Sequence, residues 1–336
     1  MRRFRPLLAL AVLAPFLDTS TYGADWPQFR GPGGTGVVTD AKVPGEWGTD
    51  KNVAWKVAVP GVAWSCPIVV GDKVIVTTAF ASGQPKPKAG GFGGGGPKGG
   101  GGGFGKGGAV PKETYQFKIV CLDRATGKTA WEKVAKEARP TIPTHGSNTY
   151  ATETPVSDGE RVYAYFGMTG LFCYDLDGKE VWKKDLGSYP MQFGFGTGSS
   201  PVLVGDKLVV QCDNEEKSFL IALDKKTGEQ KWKVDRREKS GWSTPFVWKT
   251  KDRTDVVAAG GQTVRGYDPE TGKVVWTLDV GGGQCSASPV GDAGRVQAGT
   301  GAPEGASEPG EVTTRRARRK ARPTGAGCGA GRPGRC

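Results

Sequence analysis

The residues best equipped for chemistry are few and scattered. There is one histidine, His145, in the stretch Pro143-Thr-His-Gly-Ser-Asn148, and there are seven cysteines, at 66, 121, 173, 212, 285, 328 and 336. A single imidazole can carry a proton or touch a ligand, but it cannot assemble a metal cluster, and no serine or cysteine partner is marked for it. No Cys-x-x-Cys pair exists, which removes the common zinc and dithiol patterns. The carboxylates are more orderly. Asp123, Asp224 and Asp268 each precede a glycine by four residues, and Asp175 precedes one by three. That spacing suits a carboxylate that caps turn amides better than one that ligates calcium. His145 is expected to serve its own loop, with contact to a ligand or partner as the alternative.

The aspartates belong to a repeat. Cys121-Leu-Asp123-Arg-Ala-Thr-Gly127-Lys-Thr-Ala-Trp131 aligns with Ala222-Leu-Asp224-Lys-Lys-Thr-Gly228-Glu-Gln-Lys-Trp232 and Gly266-Tyr-Asp268-Pro-Glu-Thr-Gly272-Lys-Val-Val-Trp276. Cys173-Tyr-Asp175-Leu-Asp-Gly178-Lys-Glu-Val-Trp182 is one residue shorter. Each copy predicts a hairpin: Asp caps the turn, Gly takes positive φ, and Trp ends the following strand. A tryptophan at a fixed place in every unit is expected to pack between neighbouring units, where an indole removes ~150–250 Å² from water. Cys121 and Cys173 stand where Ala222 and Gly266 stand, so they read as small buried strand residues.

A second element lies upstream of each hairpin. Cys66-Pro67, Thr154-Pro155, Ser200-Pro201, Thr244-Pro245 and Ser288-Pro289 each open an apolar run, and most runs lead to a Gly-Asp or Asp-Gly turn. Proline at a strand start loses no ladder bond. One unit is therefore four short antiparallel strands of about 45 residues, the signature of an all-β propeller blade.

This pattern resembles the tryptophan-docking motif of the pyrroloquinoline quinone (PQQ)-like β-propellers. The opening Asp25-Trp-Pro-Gln-Phe-Arg-Gly-Pro32 is similar to exported planctomycete-type members, whose relatives include the propeller subunit of outer-membrane barrel assembly. The resemblance covers residues 25–292 and implies fold more firmly than activity, because the fold hosts both quinoenzymes and inert scaffolds. The family's quinoenzymes carry adjacent cysteines in a disulfide beside the quinone, with carboxylate and amide ligands to calcium; none of the cysteines here are adjacent. The resemblance therefore implies an exported, non-catalytic interaction scaffold without a bound cofactor, with a PQQ-dependent dehydrogenase as the alternative. The expected partner is another protein or envelope component.

The remaining segments bound this reading. Residues 1–24 read as a secretory signal: Arg2, Arg3 and Arg5 precede the apolar run Leu7–Leu17, which is too short to span a bilayer. That predicts a periplasmic or extracellular protein with no membrane span after cleavage. Residues 82–113 form a Gly-rich insertion expected to be disordered; Gly-x-Gly spacings there lack the strand–turn–helix context of a nucleotide site. Of the net charge of +12, residues 293–336 carry +6, with nine basic and three acidic side chains. This stretch has Val296 and Val312 as its only large aliphatic residues, and it is expected to form no propeller strand. An out-of-frame reading of GC-rich codons is its expected origin, which demotes a nucleic-acid role for Arg315–Arg322. The expectation is about four blades, a stub of a fifth and an open arc whose edge invites self-association, with Asn52–Lys56 resembling a closing strand.

Overall fold

The second and third strands of each unit are mostly apolar, with runs of consecutive apolar residues that suit burial on both faces. In a computed structural model, which describes residues 24–39, 43–83, 108–299 and 310–313, they form the middles of successive antiparallel sheets. The first blade contains β1 (Ile68–Val70), β2 (Lys73–Phe80), β3 (Tyr115–Asp123) and β4 (Thr129–Ala138). The second contains β5 (Val156–Ser157), β6 (Arg161–Tyr165), β7 (Leu171–Asp175) and β8 (Glu180–Lys184). The third contains β9 (Val202–Val204), β10 (Lys207–Cys212), β11 (Phe219–Asp224) and β12 (Gln230–Asp235). The fourth contains β13 (Phe246–Lys249), β14 (Thr254–Ala259), β15 (Thr263–Tyr267) and β16 (Val274–Asp279). A fifth, three-stranded sheet contains β17 (Val290–Gly291), β18 (Arg295–Ala298) and β19 (Gly310–Thr313). Strands run in chain order within each sheet, and the inner strands β1, β5, β9 and β13 neighbour one another in turn. This is an open arc of propeller blades, with cores in the gaps between sheets: Ile75, Phe117 and Ile119 of the first blade pack on Val162, Phe166 and Phe172 of the second.

The repeat residues act together at each joint. Asp123 Oδ1 accepts from the Thr126 N–H and hydroxyl at 2.8 and 2.6 Å, and Gly127 closes the turn at φ +71°. These hydrogen bonds from Thr126 hold the Asp123 carboxyl below its ordinary range. Opposite each Trp the ladder slips by one residue, between Cys121 and Leu122, Cys173 and Tyr174, Ala222 and Leu223, and Gly266 and Tyr267. A bulge of this kind re-aims a side chain. The indoles of Trp131, Trp182 and Trp232 lie flat on Gly178, Gly228 and Gly272 of the next blade, so close that a Cβ would overlap the ring. Their N–H groups donate to the turn carbonyls of Leu176, Lys225 and Pro269 at 2.9, 3.1 and 2.9 Å. Trp lies third in its strand rather than at the end, and β4 continues to Ala138.

A second set of bonds joins the blades near the axis. The Cys66 N–H donates to Thr154 Oγ1, Thr154 N–H to Ser200 Oγ, Ser200 N–H to Thr244 Oγ1, and Thr244 N–H to Ser288 Oγ, all at 2.9–3.0 Å. From Thr154 onward, the residue before each of these prolines thus supplies a hydroxyl to the preceding blade. The N-terminal segment runs along this inner side. Trp26 pairs with Val69, the Pro27 carbonyl accepts from the Ser157 N–H, and Arg30 Nη1 donates to the Ser288 carbonyl at 3.2 Å. A small open cleft remains between Phe29, Arg30, Phe246 and Pro289.

Three expectations change. Trp276 does not reach the fifth sheet, which has no Asp-x-x-Thr-Gly hairpin among the described residues. Its indole folds over its own sheet and donates to Asp255 Oδ2 at 2.7 Å, in space that exists because residue 266 is glycine. Trp248 takes over the joint, donating to the Asp292 carbonyl at 2.7 Å. The chain after 292, expected to form no strand, contributes β18 and β19, because Val296 is buried in the fourth-blade core and pairs in register with Val312. Among the described residues the fifth unit is therefore a three-stranded sheet that extends beyond 292. Asn52–Lys56 joins no sheet, although Trp55 lies on Gly127 and donates to the Arg124 carbonyl at 2.9 Å. The signal segment through residue 23, residues 84–107 of the insertion, and residues 300–309 and 314–336 of the tail lie outside the described residues.

Trp232 is 8% exposed between the third and fourth blades. Trp232→Ala is expected to cost ~3–5 kcal/mol in urea unfolding, as for other buried aromatic truncations. A loss under ~1 kcal/mol, the range of surface changes, would contradict its place in the joint.

Candidate functional site

The linkers that carry each outer strand back to the next inner strand gather on one rim. His145 lies in the first of these, half-buried, and its backbone N–H donates to the Phe195 carbonyl at 3.4 Å. Its Nδ1 is 2.6 Å from Ser147 Oγ, and its ring meets Phe195 edge-on at 5.1 Å. The residue therefore has loop-structural bonds and a partly open ring at once. Asn148 Nδ2 donates to the carbonyls of Phe195 and Thr197 at 2.8 and 3.1 Å, and Trp242 Nε1 donates to the Gly196 carbonyl at 2.7 Å. The stretch 192–198 is thus pinned from both neighbouring linkers.

Pinning leaves one side chain exposed. Phe193 has φ +53°, a left-handed conformation rarely adopted by a bulky residue, and is 49% exposed. Its ring is 5.7 Å from Phe195, which is 6.1 Å from Trp242. A row of three aromatic rings with His145 beside it crosses the rim over the second, third and fourth blades.

The acids beneath the rim are committed to internal partners, with one exception. Asp213 and Arg236 form a fully buried, two-pronged pair at 2.7 and 2.9 Å, and Arg236 also donates to the Tyr267 hydroxyl at 2.7 Å. Burial pushes the Asp213 carboxyl up, and Arg236 pulls it back toward the charged form. Glu238 accepts from the Gln262 and Thr263 N–H groups at 2.9 and 3.2 Å. The exception is Glu153: it is 1% exposed, and its Oε1 has no hydrogen-bond partner. Burial pushes its carboxyl up to about 7, against a hydrogen bond from Thr197. Sequence reasoning missed Glu153. The signal was its place before Thr154-Pro155, where the other copies carry Ser65, Ser199, Ser243 or Ala287. It also missed Trp242 and the Asp213–Arg236 pair.

The quinone and calcium implied by the family resemblance can be tested against these residues. Calcium takes six to eight oxygen ligands, several of them carboxylates. Among the described residues no three His, Cys, Asp or Glu side chains come together. Asp123, Asp224 and Asp268 are occupied by turn amides. Cys66, Cys121, Cys173, Cys212 and Cys285 are free thiols, and burial pushes Cys121 and Cys173 up to about 11 and about 12. The described residues do not fit that pair. No helix among the described residues is long and apolar enough to cross a membrane.

Glu153 gives a pH signature. Unfolded, its carboxyl titrates near 4.5; folded, near 7, so the folded state holds an extra proton between those values. Its stabilising contribution is complete below pH 4.5 and falls by ~3 kcal/mol as pH rises to about 7. Glu153→Gln is expected to flatten that slope and to be more stable than the parent at pH 8, as read from urea midpoints at pH 5 and pH 8. An unchanged slope would contradict this.

The comparisons with known proteins come from family models and solved structures. A family model described as outer membrane protein assembly factor BamB matches residues 81–235 and 116–303. No curated protein matches the chain. BamB from Moraxella catarrhalis is similar at 17% identity over 74% of this chain and 72% of that one, with a TM-score of 0.40. Quinohemoprotein alcohol dehydrogenase ADHIIG from Pseudomonas putida HK5 is similar at 13% identity, over 77% of this chain and 39% of that one, with a TM-score of 0.45. A europium-containing methanol dehydrogenase is similar at 12% identity, over 78% and 49%, with a TM-score of 0.45. The chain therefore spans about half or less of those two dehydrogenases. With the family model covering residues 81–303, this chain belongs to the PQQ-repeat β-propeller family described as outer membrane protein assembly factor BamB.

Proposed function

We propose that this propeller is a non-catalytic scaffold that presents its rim to another protein, in an exported setting such as outer-membrane protein assembly. The observation that carries the reading is Phe193. A non-glycine residue held in a left-handed conformation costs on the order of 1–3 kcal/mol and persists where the surroundings over-determine it. Here it also keeps a large aromatic ring in water, within a row of aromatics that suits the centre of a protein interface. Fold stability accounts for neither cost. The acids beneath are bonded to Arg236, Thr263 or backbone amides, Glu153 keeps one carboxyl oxygen without a partner, and no three of these side chains come together among the described residues. Family membership adds the assembly setting. Export and a periplasmic or extracellular location rest on the N-terminal basic and apolar run.

Two measurements test this. Titration with PQQ and Ca²⁺ is expected to give no stoichiometric change in quinone absorbance and no dye reduction with alcohols; stoichiometric binding with turnover would establish the dehydrogenase reading instead. Phe193→Ser is expected to leave the melting temperature within the range of surface substitutions while abolishing co-purification of envelope proteins from the native host. Undiminished co-purification would remove the rim from the proposal.

A further inference from the structure

The strap 192–198, which carries Phe193, is fastened through Thr197. The Thr197 carbonyl accepts from Asn148 Nδ2 at 3.1 Å, and its hydroxyl donates to the Glu153 carboxyl. Gly194, Gly196 and Gly198 bring no side chains, so the strap relies heavily on such bonds. Glu153 is an anchor of an unusual kind. It is 1% exposed, and its Oε1 has no partner. The contact with the strap is tight: a Cβ on Gly167, in the turn after β6, would overlap Thr197 Oγ1 and lie 3.1 Å from Glu153 Oε1.

The groups that face Glu153 carry no positive charge. The Thr77 hydroxyl of β2 donates to the Glu153 carbonyl at 3.5 Å, Tyr165 approaches from β6, and Thr197 covers the carboxyl. The Tyr165 hydroxyl is bonded to Cys212 of β10, and burial pushes both groups up, Cys212 to about 11, so both are neutral near pH 7. An ionised Glu153 would keep its bonds from Thr197 and from the amides of Thr152 and Glu153, yet meet no counter-charge. A charge buried in that way draws in water or moves toward it. Thr77, Tyr165 and Gly167 are buried and Thr197 is only half-buried, so the strap is the thinnest cover.

We propose that Glu153 is a proton-operated catch for the strap: protonated, it lies closed beneath Thr197; ionised, it admits water, Thr197 lifts, and Phe193 loses the conformation that a partner protein meets. The rim then binds its partner more tightly in mildly acidic than in mildly alkaline surroundings. This regulation rests on the rim's role as a protein-binding surface; the catch itself does not. Closed, the carboxyl titrates at about 7, and open to water it returns to 4.5. Linkage between those values makes opening about tenfold more frequent at pH 8 than at pH 6. His145, whose ring meets Phe195 edge-on at 5.1 Å, is a second titratable group against the strap.

Amide hydrogen exchange of the full chain, expressed as protection factors to remove the intrinsic effect of pH, tests the catch without a partner. Protection across 192–198 is expected to lie below that of β10 and β11, which marks a local opening, and to fall about tenfold from pH 6 to pH 8. The fall is expected to persist in His145→Asn and to vanish in Glu153→Gln, whose amide keeps the shape without the charge. Capture of envelope proteins that depends on Phe193 is expected to be stronger at pH 6 than at pH 8 in the parent, and equal at both in Glu153→Gln. Protection of the parent strap that ignores pH, or a fall that survives in Glu153→Gln or disappears in His145→Asn, would overturn the catch and leave the rim reading standing. The expected fall with no Phe193-dependent capture at either pH would keep the catch and overturn its effect on binding together with the rim reading.

Discussion

An indole resting on a glycine of the next sheet is the contact on which the arc depends. It needs three things at once: a turn that brings glycine to the surface in a left-handed conformation, an aspartate that keeps that turn closed, and a bulge that swings tryptophan out of its own sheet. Each of the first three blades supplies the tryptophan for the blade after it, and each of the second to fourth supplies the turn for the blade before it. The hydroxyl ladder ties the same blades near the axis, so every gap is held at both its outer and inner margins. The apolar side chains between sheets fill a space whose width these two sets of polar bonds have already defined.

The repeat was legible in the sequence because its chemistry is local. Asp123, Gly127 and Trp131 span nine residues, and each has a mechanical reason to recur. What could not be read depends on partners far along the chain. Trp276 carries the same motif as Trp232, but its fate is decided by the hairpin absent from the fifth sheet and by the missing side chain of Gly266. The serine and threonine before each proline were visible, but their role as acceptors for the previous blade appears only when sheets are stacked. Val296 and Val312 were too few to announce strands, yet pairing with each other and burying Val296 is sufficient. Asp213 and Arg236 meet across 23 residues, a separation at which no sequence pattern identifies a partner.

The candidate site divides the same way. The loop of His145 stood out in the sequence, and it lies on the rim beside the aromatic stretch around Phe193. Glu153 did not, because one acid among serines is a weak signal without knowledge of its burial. A fold that uses its aspartates as turn caps and its hydroxyls as blade ties commits most of its polar groups to structure, and Phe193 is the exposed aromatic of the rim linkers.

The segment around Trp26 and Arg30 adds a constraint on timing. It touches the first blade at Val69, the second at Ser157 and the fifth at Ser288, which is 258 residues from Arg30. A ribosome releases these residues first, but their last contacts cannot form until almost the whole arc exists. Closing so long a loop adds little to the entropic penalty relative to a shorter one, but it makes the contact late. The Arg30 end of this segment is thus fastened only after the sheets it crosses have assembled.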